Sequence, residues 1–291
     1  MAHTIVNQIY VLDGGSLNLE ASGMIAGRNF GQRIDVPVSM YLLDTELGYV
    51  LVDTGNDPKV IDDPVGTWGA ELVRAVTPIM KPKNDLRAQL AILNVAPEDV
   101  KLVIYTHLHH DHSGGARFFP NARHVVQKSE HRWAFTPDRF TQNIYLRSDF
   151  GHPEIQWFLV DGDVVLLPGI HLVHTPGHTP GHQSVVLWDV PDVGTVILTG
   201  DAVYQRDNVR LDQPAGIVIN TAEAMASMHR LTALADAHDA SLIVSHDKEF
   251  WSLLSICPEP LQRLPERERC FWRSGLEVLY GVSHGEGVIT P

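Results

Sequence analysis

Thr106-His107-Leu108-His109-His110-Asp111-His112 follows the apolar run Leu102-Val103-Ile104-Tyr105 and leads into Ser113-Gly114-Gly115. The apolar run predicts a buried strand, and the glycines allow a sharp turn before a helix. The histidines therefore stand at a strand's C-terminal end. With a period of two, His107 and His109 project to one side of an extended backbone, so both imidazoles can meet one cation. Asp111 and His112 swing round the turn toward a second. Imidazole suits zinc, iron, cobalt and nickel alike, and a carboxylate added to histidines favours a hydrolytic centre over a structural thiolate site. The competing reading is a histidine-rich surface loop, because the chain holds 16 histidines. Four residues of the pattern His-x-His-x-Asp-His within the six positions 107 to 112, at the end of a buried strand, favour a metal site.

Three strands further along end in candidate ligands. Ile170-His171-Leu172-Val173-His174 runs into Thr175-Pro176-Gly177-His178-Thr179-Pro180-Gly181-His182, so a histidine again lies beyond a strand. His178 is the candidate ligand there. His182 is a supporting or structural residue, and His171 and His174 alternate along the strand without metal contact. Thr195-Val196-Ile197-Leu198-Thr199 leads to Gly200-Asp201. Asp201 can bridge two cations with its two oxygens, or cap a helix. Tyr204, three residues on, offers a phenol to the same cavity. Ser241-Leu242-Ile243-Val244 ends in Ser245-His246-Asp247, which adds His246. His124 and His131 have no partner spacing and read as structural or surface residues.

Upstream, residues 5 to 12 predict a strand stopped by Asp13-Gly14-Gly15, and residues 36 to 52 predict a hairpin ending in Asp53-Thr54-Gly55. Asp53 is a turn former or a carboxylate that orients a ligand histidine. Residues 56 to 97, broken by prolines, read as elaborated loops with short helical stretches over one end of the sheet. Met24, Ile25 and Trp68 are candidates for an apolar substrate wall, with a core role as the alternative. Leu86, Leu90 and Leu93 give residues 85 to 93 a helical face, and further helices are predicted from Ser129 and over 222 to 238. Two runs of strands accompanied by helices suggest two sheets packed face to face with helices outside. Residues 1–250 form a single domain in this reading. Residues 251–291 form a polar, proline-broken C-terminal tail with no assigned role.

Composition narrows the function. The 291 residues are 44% hydrophobic and 20% charged, ordinary for a globular protein with a large core. A formal charge of -13 argues against a nucleic-acid partner, which needs a basic face. No continuous apolar stretch approaches about twenty residues, so no membrane span is expected. The opening Met1-Ala2-His3-Thr4-Ile5-Val6 lacks a basic segment followed by an apolar core, and a cytoplasmic protein is expected. Cys257 and Cys270 fall in no Cys-x-x-Cys pattern and read as bystanders.

His107-x-His109-x-Asp111-His112, then His178, Asp201 and His246 in that order, resembles the metallo-β-lactamase superfamily over about residues 5 to 250. The resemblance implies an α/β fold, the αββα sandwich, with a dinuclear site between its halves. One metal would take His107, His109 and His178, and the other Asp111, His112 and His246, with Asp201 bridging. Two divalent ions are implied, zinc first, with iron, cobalt or manganese as alternatives.

Within that superfamily the stretch 175 to 184, Asp201-Ala202-x-Tyr204 and His246-Asp247 resemble the N-acyl-homoserine lactone lactonases, the quorum-quenching enzymes. The opening Tyr10-Val11-Leu12-Asp13-Gly14-Gly15 and Ser245-His246-Asp247 are also similar to 4-pyridoxolactonase. The implied partner is a small-molecule lactone, with no nucleic acid and no membrane, in a monomer or a homodimer. The implied reaction is ring opening by a hydroxide that bridges two metal ions. Tyr204 would donate to the developing oxyanion, and Asp111 would pass a proton to the leaving oxygen. A di-iron redox protein of the flavodiiron kind shares the sandwich, but usually replaces a ligand histidine with a carboxylate and adds a flavin domain. Other small-ester hydrolases of the superfamily are the second alternative.

Overall fold

In a computed structural model that describes residues 4–273, β1 (Val6–Glu20) runs through the Asp13-Gly14-Gly15 segment where the sequence predicts a stop. Its pairing with β2 (Arg33–Thr45) shifts register between Asp13 and Ser16. The glycines thus make a bulge inside one long strand. β3 (Gly48–Val52) returns beside β2, and β4 (Val76–Ile79) pairs with the far end of β1. β5 (Val100–Ile104), β6 (Arg123–Gln127) and β7 (Gln156–Val160) run parallel to β3. The order is β4-β1-β2-β3-β5-β6-β7.

The second sheet contains β8 (Val164–Leu167), β9 (Ile170–His174), β10 (Gln183–Val190), β11 (Gly194–Leu198) and β12 (Ser241–Ile243). Its order is β12-β11-β10-β9-β8, with β12 parallel to β11 and the other pairs antiparallel.

Alternation along the first sheet places the layers. Ile9, Val11, Tyr41, Leu43, Val50 and Val52 pack with Leu172, Val185, Leu187 and Leu198 of the second sheet. Their neighbours Leu12, Met40, Leu42 and Leu51 face the other way, onto Leu86, Leu90 and Ala134 of the helices Leu86–Ile92 and Lys128–Phe135. Both faces are therefore buried, and each buried leucine contributes roughly 2 kcal/mol. The helix Thr221–His238 covers the outside of the second sheet through Met228, Leu231 and Ala235. Asn220 caps it by accepting from the backbone N–H groups of Ala222 and Glu223, which satisfies two of the orphan donors of its first turn. The result is the expected αββα sandwich.

The strand β4 lies in the stretch read as loops. Pro78 hides it from a sequence reading, and proline is tolerated there because β4 is an edge strand. Past residue 250 the chain returns to the core. The Cys257 and Leu261 N–H groups donate to the carbonyls of Val11 and Ile9, and Leu261, Leu264, Phe271 and Trp272 are buried. Residues 274–291 of the tail lie outside the described residues. Cys257 and Cys270 are free thiols. No helix among the described residues is long and apolar enough to cross a membrane.

Candidate metal centre

His107 and His109 follow β5, His178 follows β9, Asp201 follows β11 and His246 follows β12, so four strand ends converge on one point between the sheets. Asp111 and His112 lie on the one-turn helix His110–Ser113. All seven are buried. Gly200, at φ 52°, lets the Asp201 turn close on its neighbours, because a Cβ there would fall 2.7 Å from His182 Nε2 and 2.8 Å from Thr106 Cβ. His182 Nε2 accepts the Asp201 N–H at 2.9 Å.

Two ligand groups result. In the first, His107 Nε2, His109 Nδ1 and His178 Nε2 stand 3.0 to 3.1 Å from one another. In the second, His112 Nε2 is 3.5 Å and His246 Nε2 3.8 Å from Asp111 Oδ2. Asp201 lies between the groups. Its Oδ2 is 3.4 Å from His178 Nε2 and 3.7 Å from His107 Nε2, while its Oδ1 is 3.4 Å from His112 Nε2 and 3.3 Å from His246 Nε2. One carboxylate thus offers an oxygen to each group.

The residues fit divalent cations. Three imidazole nitrogens in a 3 Å triangle cannot all be satisfied by hydrogen bonds to one another, whereas one cation can share all three lone pairs. His112 Nε2 and Asp201 Oδ1 are buried and have no hydrogen-bond partner among the described residues, which is costly in a protein interior without an ion. The outward nitrogens of three of the histidines are held instead. His178 Nδ1 meets the Ile217 carbonyl at 2.8 Å, His246 Nδ1 the Pro37 carbonyl at 2.9 Å, and His112 Nδ1 the Asp53 carboxylate at 2.8 Å. A proton on each outward Nδ1 leaves the inward Nε2 free as a ligand. Asp53, at φ 58°, also accepts from the Thr106 N–H and hydroxyl, both at 2.8 Å. Of its two sequence readings, orientation of a ligand histidine is the one the geometry supports.

Electrostatics separates the two groups. Burial drives His107 and His109 well below the usual histidine range, with the neighbouring imidazoles adding to it, and burial lowers His178 as well. Burial also opposes charge on His112 and His246, yet both are raised, His112 by Asp111 and then Asp201, and His246 by Asp201 and then Asp111. Asp201 is held well below the usual carboxylate range against its burial, chiefly by His246 and His112, and Asp111 is lowered against its burial by His112 and His110. The first group is neutral and nitrogen-only. The second sets the Asp111 carboxylate beside two basic histidines.

The ligands form one end of a cavity walled by Leu17, Leu19, Met24, Val36, Ile144 and Ile217. Tyr204 is at the boundary between wall and ligands. Its hydroxyl is 3.4 Å from His178 Nδ1, and burial, followed by the Asp201 and Asp111 charges, keeps its pKa well above the ordinary phenol value. Met24 lines this cavity, while Ile25 and Trp68 pack in the cluster behind it, with Trp68 4.3 Å from the His110 ring. His124 is structural, buried between the Tyr105 hydroxyl and the Phe119 carbonyl. Neither His171 nor His174 approaches the ligands; the His174 N–H and carbonyl are engaged by Asp163 and Arg230. Sequence reasoning missed the wall residues Leu17, Leu19, Val36, Ile144 and Ile217, whose apolar character is shared with the core. It also missed Glu130, read only as part of a helix start.

The metallo-beta-lactamase superfamily model matches residues 33–246. The N-acyl homoserine lactonase AttM of Azorhizobium caulinodans is 34% identical over 257 residues, covering 86% of this chain and 97% of the relative. The lactonase AiiA of Bacillus thuringiensis subsp. kurstaki is 29% identical, covering 87% and 98%. A solved N-acyl homoserine lactone hydrolase with N-hexanoyl-L-homoserine at its catalytic metal center superposes with a TM-score of 0.80 at 29% identity, covering 88% of this chain and 99% of that one. The chain therefore belongs to the metallo-beta-lactamase superfamily and, within it, to the family of the N-acyl homoserine lactonases.

Proposed function

We propose that this protein opens the ring of N-acyl homoserine lactones by metal-dependent hydrolysis. The observation that carries the reading is the junction of two ligand groups, a buried phenol and an apolar cavity in one site. The relatives named above act on that substrate class by their names. We assign His107, His109 and His178 to one ion, Asp111, His112 and His246 to the other, and Asp201 to both, with zinc as the ions. Two such cations supply Lewis acidity, which acidifies a water molecule and withdraws electrons from the lactone carbonyl.

The side chains do the rest. The apolar wall holds the acyl chain and excludes bulk water. The Tyr204 hydroxyl donates a hydrogen bond to the carbonyl oxygen as negative charge builds there. Water adds to the carbonyl carbon, and the Asp111 carboxylate takes one of its protons. The bond between that carbon and the ring oxygen then breaks, and Asp111 returns its proton to the ring oxygen, which becomes the homoserine hydroxyl. The new carboxyl group loses the water's second proton to solvent.

The same reading places the protein in the cytoplasm with no membrane partner, and its charge of -13 weighs against a nucleic-acid partner. We assign the packed residues 251–273 to stability and not to chemistry. Initial rates of proton release on a panel test the reading: acyl-homoserine lactones of short and long chain, 4-pyridoxolactone, simple γ- and δ-lactones, a phosphotriester and a β-lactam. Fast opening of the acyl-homoserine lactones, abolished by chelation and restored by metal, is the expected result. Activity confined to 4-pyridoxolactone or another ester would overturn the substrate and leave the hydrolase.

A further inference from the structure

Glu130 lies in the helix Lys128–Phe135, fully buried, and no step above uses it. Its carboxylate accepts four hydrogen bonds. Oε1 takes the Leu108 N–H at 3.0 Å and the Tyr145 hydroxyl at 3.1 Å. Oε2 takes the Thr179 hydroxyl at 2.6 Å and the Gly181 N–H at 3.2 Å. These donors are not scattered. Leu108 is the residue between His107 and His109, Thr179 directly follows His178, and the Tyr145 ring meets the His109 ring edge-on at 4.7 Å. Gly181 presses so closely that a Cβ there would fall 2.0 Å from the Glu130 nitrogen.

The first ligand group draws its histidines from two different sheets, and Glu130 is a single group bonded to the segments that carry them. Gln183 also joins these segments, through its N–H to the Thr106 carbonyl and its amide to the Tyr105 carbonyl, but on the strand side of the ligands. Among the described residues, no hydrogen bond links Glu130 to Asp111, His112 or His246; His112 rests on Asp53, and His246 on the Pro37 carbonyl. A buried carboxylate with both oxygens satisfied is a stiff, directional clamp.

We infer that Glu130 is a positioning residue for one half of the metal centre: it sets the geometry and affinity of the position formed by His107, His109 and His178 and leaves the other position unchanged. The inference rests on the dinuclear centre and not on the choice of lactone.

The test is metal binding by the full-length protein, stripped and titrated with cobalt(II). Affinities come from chelator competition, and the occupied position comes from anomalous diffraction at one equivalent and from the visible cobalt spectrum. Glu130→Ala is expected to weaken the three-histidine position about 10- to 100-fold and to perturb its spectrum, with the other position held within about threefold. Glu130→Gln, which keeps one acceptor oxygen but opposes the Gly181 N–H with an amide, should fall between. Tyr145→Phe and Thr179→Val, each removing one donor, should shift the same position in the same direction by less, and they keep the inference testable should Glu130→Ala fail to fold. Equal weakening of both positions, or none at either in Glu130→Gln and Thr179→Val, would overturn it. Because the readout is metal and not turnover, failure of the lactonase reading would leave the result intact.

Discussion

His107, His109 and His178 meet as three neutral imidazoles, whereas His112 and His246 meet Asp111 and Asp201, whose charges keep both histidines basic. The supports differ as well. Glu130 holds the first group through backbone and hydroxyl donors beside the ligands, while Asp53 touches the ligand His112 directly. A nitrogen-only group is suited to fixing a cation, and a group with its own carboxylate can also hold a proton. The proposed function divides the labour along the same line: in it the first half anchors, and the second half does chemistry beside its anchor.

Asp111→Asn should break that division most sharply. The amide keeps the shape but cannot take a proton, so turnover should fall about 10³-fold while KM changes little. Metal at the three-histidine half should remain. Steady-state kinetics with metal analysis checks both, and full turnover at full metal content would remove Asp111 from the proton path. Tyr204→Phe comes next. Loss of one donor to a developing oxyanion should cost about 10²-fold in kcat. Equal rates in single-turnover assays would show that the phenol, 3.4 Å from His178 Nδ1, only packs.

Asp53→Asn sharpens the comparison from the other side. It weakens the partner that fixes His112 Nδ1, so the carboxylate half should lose metal affinity about 10- to 100-fold, and the three-histidine half should not. Chelator competition at both positions reads this directly. Parallel losses would mean that the two supports are one framework.

The contrast between the halves was only partly legible in the sequence. The seven clustered residues could be picked out because each carries only local signals, an apolar strand run followed by turn-forming residues. Tyr204 carried no such signal and entered through its place three residues after Asp201. Asp53 showed itself as a carboxylate at a strand end, with its partner His112 59 positions away and unidentified. Glu130 was invisible because its four donors lie 15 to 51 positions away and its own neighbours spell an ordinary helix start. The return of Leu261, Phe271 and Trp272 to the core was hidden in the same way, since a polar, proline-broken stretch gives no period that says what its few apolar residues cover.

Asp149 is the counterexample among buried carboxylates. Asp53 and Glu130 have donors for both oxygens, but among the described residues Asp149 receives only the Ser148 hydroxyl on Oδ1, and its Oδ2 has no partner. Burial, followed by the charge of Asp57, pushes its carboxyl up to about 7 from 3.8. Between those values the folded protein keeps a proton that the unfolded chain releases, so rising pH favours unfolding across this window. The contribution is whole below about pH 3.8 and lost once the pH passes about 7. Asp149→Asn removes the charge and keeps the shape. Its Tm should therefore exceed the parent's by more at pH 8 than at pH 5, with metal content unchanged. A gap in Tm that does not widen with pH would show that Asp149 is ionised and paired in the fold, and that an orphaned oxygen does not distinguish it from the carboxylates that support the metal centre.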